Sequence, residues 1–244
     1  MPRVRAIIFD LGGTLLDYPN WESEVAVRWR STYRQLCASP RDGLPGEEEF
    51  VQALLDAETE HWRRVDTDHW SGPPSGLVLD GYRRMGRHLA EDEIVEILDA
   101  CARALDGWAQ PFPDAQPTLE YLRSRGYRLG LLSNTWWAAE WHNAHLATHG
   151  LDRYLDELVY TSDLPHSKPH AAAFQTIAGR LGVPHENCVM IGDRPIDDIS
   201  GGLNAGMRAV FKTNGRATTI PDAVKPTAVI ANLAELPPLV EGFV

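Results

Sequence analysis

The chain has 244 residues, 43% hydrophobic and 23% charged, enough for one large domain or for a core with a smaller insert. Its 23 basic and 34 acidic side chains leave a formal charge of −11, which argues against a nucleic-acid binder, since that needs a basic face to neutralise phosphates. No apolar run approaches the roughly 20 residues of a spanning helix, and Cys37, Cys101 and Cys188 stand at no metal-ligand or redox spacing. These features predict a cytoplasmic protein with reduced thiols, bound neither to membrane nor to nucleic acid. An anionic substrate stays open, provided the site supplies its own local positive charge.

Val4 to Phe9 is a short apolar run ending at Asp10 and followed by Gly12, Gly13 and Thr14, which predicts a buried strand closed by a glycine turn. From about Trp21 to Asp106 the spacing becomes helical, over Glu22 to Leu36, Glu47 to Arg64 and Glu91 to Leu105. Breakers at Pro40 to Pro45 and Ser71 to Gly76 separate these segments, and no strong strand interrupts them. After Pro111 and Pro113 strands and helices alternate. Pro117 to Arg125 reads as a helix, Tyr127 to Leu132 and Leu158 to Tyr160 as strands, and His170 to Leu181 as a helix. Cys188 to Ile191 is a strand, Ile196 to Ala205 a helix, and Arg208 to Phe211 and Ala228 to Ile230 are strands before a proline-rich tail. The predicted fold class is α/β. It has a Rossmann-like parallel sheet with helices on both faces at residues 1–17 and 111–244, and an inserted all-helical unit at 18–110.

Polar clusters fall where predicted strands end or helices begin: Asp10 to Thr14, Ser133-Asn134, Lys168-Pro169, and Gly192-Asp193 with Asp197 and Asp198. In a parallel sheet such points converge on one crevice at the C-terminal strand edge. Their chemistry suits phosphoryl transfer. Crowded carboxylates require a cation, and Mg²⁺ prefers oxygen ligands. One carboxylate can attack phosphorus, while a lysine, a hydroxyl and turn amides hold the phosphate oxygens.

With I-I-F-D-L-G-G-T-L at 7–15, L-L-S-N at 131–134, K-P-H-A-A-A-F at 168–174 and I-G-D-R-P-I-D-D at 191–198, the chain resembles the haloacid dehalogenase superfamily. The helical insert matches a cap placed after the first motif. The resemblance implies Asp10 as nucleophile and metal ligand, the Gly12 carbonyl and Asp193 as further ligands, and Asp198, rather than Asp197, in the first or second shell. It implies that Ser133 and Lys168 bind the phosphate. The same reading places Gly13, Asn134 and Trp136 around phosphate and substrate.

One position departs from the pattern. Phosphatases of the superfamily carry a second aspartate two residues after the nucleophile, as general acid and base; here it is Gly12. Its loss should cost on the order of 10²–10⁴-fold in acid–base catalysis, a loss best tolerated by acyl or aryl phosphates. Dehalogenase members carry a tyrosine there and lack the motif-four metal aspartate, whereas this chain has Gly12 and keeps Asp193. Phosphonate-cleaving members need a cap lysine, and the only lysines are Lys168, Lys212 and Lys225.

Trp21, Trp29, Trp62, Trp70 and Trp108 read as packing of the insert, while Trp136 or Trp137 is expected to face the substrate, with Trp21 suiting a flat apolar group. Asp17 reads as a structural residue near the hinge of the insert. His61, His69, His88, His142, His145 and His149 form no familiar ligand spacing and read as surface or packing residues, and Arg28, Arg30 and Arg34 as a solvated helix face. The expectation is a Mg²⁺-dependent phosphatase, monomer or homodimer, acting on a small phosphorylated metabolite through an aspartyl-phosphate at Asp10. The alternative is a binding or regulatory protein of the same fold with little or no turnover.

Overall fold

The computed structural model describes residues 3–38, 43–215 and 219–243, so part of the predicted breaker at Pro40 to Pro45 lies outside the described residues. Among the described residues six parallel strands form the central sheet: β1 (Ala6–Phe9), β4 (Arg128–Ser133), β5 (Glu157–Tyr160), β6 (Cys188–Gly192), β7 (Arg208–Lys212) and β8 (Ala228–Ile230). Their order across the sheet is β5-β4-β1-β6-β7-β8. β1 lies at the middle, paired with β4 on one side and β6 on the other. Each of the six coincides with a strand predicted from an apolar run, because the inner strands, buried on both faces, need no polar alternation.

The period of two sorts β1 between two cores. Ile7 and Phe9 join Leu129, Leu131, Val189 and Ile191 on one face, against Leu119 and Leu122 of α5 (Ala115–Ser124), Leu146 of α6 (Ala139–Thr148), and Leu236 and Val240 of α9 (Leu236–Glu241). Ala6 and Ile8 turn the other way, onto Phe174, Ile177 and Leu181 of α7 (Ala171–Leu181). The His170 side chain caps α7 by accepting from the Ala172 amide, and Gly182 at φ 64° ends it. The predicted helix from Ile196 to Ala205 is instead a π-helical turn over Pro195–Ser200 followed by the short α8 (Gly201–Asn204).

The helical insert comprises α1 (Trp21–Cys37), α2 (Glu47–Asp68), α3 (Pro74–Arg84) and α4 (Glu91–Leu105). Acidic first turns favour α2 and α4 electrostatically: Glu47, Glu48 and Glu49 in the one, Glu91, Asp92 and Glu93 in the other. Its core gathers Trp29, Phe50, Leu54, Val78, Tyr82, Ile97 and Leu105 around α2. The chain enters and leaves it through a two-stranded antiparallel ribbon, β2 (Leu16–Asp17) with β3 (Gln110–Pro111). Arg30 and Arg34 pair with Glu47 and Glu48 of α2, while Arg28 reaches Glu24 and the Ala104 carbonyl. Among the described residues no helix is long and apolar enough to cross a membrane.

Candidate active site

Because β1, β4 and β6 run parallel, their C-terminal ends deliver Asp10, Ser133 and Gly192-Asp193 to one edge. The register is fixed by Phe9 opposite both Leu131 and Ile191, and the Asp10 amide donates to the Ile191 carbonyl at 2.9 Å. Ser133 is buried at the end of β4. Lys168, 1% exposed, comes in from the segment before α7. Its ammonium donates to Asp10 Oδ1 at 2.6 Å, Asp198 Oδ1 at 2.6 Å and the Leu132 carbonyl at 2.9 Å. A lysine ammonium has three protons, and each has an acceptor here.

This geometry sets the charges. Burial pushes the Asp10 carboxyl up to about 7, against the pull of Lys168 and with the push of Asp198 and Asp193. Burial, then Asp198, lifts Asp193 to about 6. Burial works to lower Lys168, but Asp10 and Asp198 together outweigh it and hold the ammonium above the ordinary lysine range. The site thus has more carboxylate than its lysine neutralises.

Ligand oxygens of Asp10, Asp193 and Asp198 lie within 4.8 Å of one another. Asp193 Oδ1 is buried without a hydrogen-bond partner, and the Gly12 carbonyl accepts no hydrogen bond from any described residue. An orphaned buried carboxylate oxygen beside two further carboxylates fits a hard divalent cation. Asp198 Oδ2 also accepts the Arg194 amide at 3.0 Å, so both Asp198 oxygens already have donors and its weight falls on holding Lys168. Asp197, next to it, is not among these ligands.

Two glycines are required by close approach. A Cβ on Gly13, at φ 79°, would stand 2.2 Å from Asp193 Oδ2, and one on Gly192 would stand 2.2 Å from Asp198 Oδ2.

The structure corrects three site expectations. The Gly13 amide is not aimed at a phosphate, because it donates to the Leu16 carbonyl at 2.8 Å inside the turn. In this turn it is the Leu11 and Gly12 amides that have no acceptor among the described residues. Asn134 clamps the Lys168 backbone, donating to its carbonyl at 3.0 Å and accepting its amide at 2.8 Å, so its carboxamide positions the lysine and does not reach for phosphate. Trp136 is 2% exposed, stacks on Trp29 at 5.6 Å and donates its indole N–H to Glu58 at 3.0 Å. It therefore packs into the insert core, and Trp137, 3% exposed, lies in the same cluster.

Several contributors went unnoticed in the sequence. The Tyr18 ring lies 3.8 Å from where a Cβ on Gly12 would stand, and its hydroxyl is 3.4 Å from Nδ1 of both His142 and His145. Lys212 and Asn214 at the end of β7 donate to the Gly13 carbonyl, at 3.2 and 2.8 Å. The strand-end rule that exposed Asp10 would have flagged Lys212 as well. Tyr18 had no such signal, since only the fold turns its ring over Gly12.

Residues 4–206 match the family of haloacid dehalogenase-like hydrolases, and the chain belongs to that family. It is a hydrolase whose core is an α/β arrangement around a parallel sheet. It is 28% identical over 217 residues to the glyceraldehyde 3-phosphate phosphatase of Methanopyrus kandleri, covering 87% of this chain and 85% of that one. The protein of that name from Methanothermobacter thermautotrophicus is 37% identical over 102 residues, an alignment spanning 42% of this chain and 44% of that relative. A 2-haloacid dehalogenase from Pseudomonas syringae pv. Tomato superposes with a TM-score of 0.73 at 24% identity, over 99% of this chain and 100% of that one, which shows the shared fold.

Proposed function

We propose that the protein is a Mg²⁺-dependent phosphatase of small phosphorylated metabolites, working through an aspartyl-phosphate at Asp10. The observation that carries this reading is the Asp10–Lys168 pair at 2.6 Å beside the unpartnered Asp193 Oδ1. Lys168 opposes the rise that burial imposes on Asp10 and brings positive charge to the strand edge where a phosphate would lie. The Asp10 carboxylate attacks phosphorus, and the bond to the leaving oxygen breaks. Water then attacks the same phosphorus, releasing phosphate and restoring the carboxylate. The free Leu11 and Gly12 amides and the Ser133 hydroxyl are the donors for the phosphoryl oxygens. Asp10, Asp193 and the Gly12 carbonyl, with Asp198 beside them, would hold Mg²⁺, which when bound neutralises the carboxylates and the phosphate. The insert at residues 18–110 is the cap over this edge. The relatives named glyceraldehyde 3-phosphate phosphatase support a phosphate ester as the substrate class.

Phosphate release from a panel of phosphate esters, with Mg²⁺ and after chelation, tests the proposal. Turnover by the wild type is expected to vanish in Asp10→Asn. Turnover that survives in Asp10→Asn, or phosphate release indifferent to chelation, would overturn it.

A further inference from the structure

Gly12 leaves the position two residues after the nucleophile with no side chain to donate a proton. The Tyr18 ring flanks this position, but its hydroxyl is directed to His142 and His145. All three protons of Lys168 have acceptors, and the Asn134 carboxamide is engaged on the Lys168 backbone. The Thr14 hydroxyl is wholly buried and cannot meet a substrate. Arg194 carries a guanidinium, which stays protonated in proteins and gives up no proton near neutrality.

We infer that the natural substrate carries its phosphoryl group on a weakly basic oxygen, as in an aryl or acyl phosphate, and that the Asp10 phosphoenzyme accumulates during turnover. The inference rests on the phosphatase reading above. In the first step the Asp10 Oδ–P bond forms, the P–O bond breaks, and its electron pair leaves on the substrate oxygen without a proton. A phenolate or carboxylate tolerates this, whereas an alkoxide does not. In the second step water adds to phosphorus and the P–Oδ bond breaks, returning the carboxylate while the water protons pass to phosphate and solvent. With no carboxylate at position 12 to activate the water, this step becomes the slow one.

Three probes test this: 4-nitrophenyl phosphate, acetyl phosphate and, as the alkyl ester, glyceraldehyde 3-phosphate. They are run in rapid-mixing and steady-state assays with Mg²⁺ on the wild type and Gly12→Asp. The wild type is expected to favour the first two over the alkyl ester by on the order of 10²–10⁴-fold. The ratio between them tells aryl from acyl substrates. A 4-nitrophenolate burst near one equivalent per protein is expected before the steady state. Gly12→Asp should gain alkyl-ester turnover and lose the burst. Comparable wild-type rates on alkyl and aryl esters, or linear release without a burst, would overturn the inference while leaving the phosphatase reading intact. Alkyl turnover abolished by Asp197→Asn would also overturn it, by revealing another acid. No hydrolysis of any probe by wild type or Gly12→Asp would instead overturn the phosphatase reading itself. The wild-type comparison and burst hold even if Gly12→Asp fails to fold.

Discussion

Glu58, on α2 of the insert, accepts the indole N–H of Trp136, from the loop after β4, at 3.0 Å. Its second oxygen takes Trp29 at 3.1 Å, so one buried carboxylate joins the insert to the loop that leaves Ser133. Glu58→Ala strands both indole donors and should cost about 2–5 kcal/mol in urea unfolding. Burial, opposed only partly by the indole donors, holds the Glu58 carboxyl above its ordinary value of 4.5. Above that pH the folded state keeps a proton that the unfolded state loses, so Glu58's contribution to stability falls as pH rises. The stability difference between wild type and Glu58→Gln should therefore shift against the wild type between pH 4.5 and neutrality. A flat difference would contradict this assignment.

His142 gives the opposite slope. Buried between Thr135 Oγ1 at 2.8 Å and the Tyr18 hydroxyl at 3.4 Å, its imidazole is lowered to about 3 by burial and by His145. Below its ordinary value of 6.5 the unfolded chain takes a proton that the folded chain refuses until about pH 3. Stability from this group is therefore lost as pH falls through that window, by ~1.4 kcal/mol per pH unit once well inside it. His142→Gln is expected to be less stable at pH 7 yet to lose less on acidification. Equal slopes in paired urea titrations would refute it.

Two adjacent glycines should respond differently to one methyl group. In Gly13→Ala the Cβ collides with Asp193 and sits at φ 79°, so Asp193 must move and the fold is destabilised by about 1–3 kcal/mol. In Gly12→Ala the Cβ meets only the Tyr18 ring at 3.8 Å, and stability should change by less than about 1 kcal/mol. Mg²⁺ titration calorimetry is expected to show binding lost in the first variant and kept in the second.

Lys168→Met removes the cation from between Asp10 and Asp198. Leaving buried carboxylates unpaired should cost about 3–5 kcal/mol and abolish turnover. Without the lysine the Asp10 carboxyl rises further above its wild-type value of about 7, so the variant's deficit should shrink as pH falls toward that value. Millimolar Mg²⁺ should raise its Tm more than that of the wild type. A deficit that widens on acidification would place the main role of Lys168 elsewhere.

The sheet was legible because its six strands are continuous apolar runs ended by glycine or polar residues, and the residues at those ends mark the site. Other elements lack such a signal. The β2–β3 ribbon has two residues per strand, too few to show a period. Helix α3 begins at Pro74, where Pro73-Pro74 reads as a break although proline is at home in a first helical turn. Helix α6 places His142, His145 and Leu146 inward, a polar set that hides its buried face. The Asn134 carboxamide and the Gly13 amide carried the right chemistry for phosphate, but backbone partners found only through tertiary contact had claimed them.

The ribbon has a consequence for how such a chain changes over time. Leu16 faces Pro111 and Asp17 faces Gln110, so departure from the sheet and return to it share a single doorway. To the sheet, everything between those residues is one loop whose ends are already fastened together. Loop-closure entropy rises only with the logarithm of length. A longer, shorter or unrelated insert could therefore hang from the same four residues at little cost in chain entropy, provided it replaced the tie between Glu58 and Trp136. What the enzyme recognises could be exchanged while Asp10 and Lys168 stay in register.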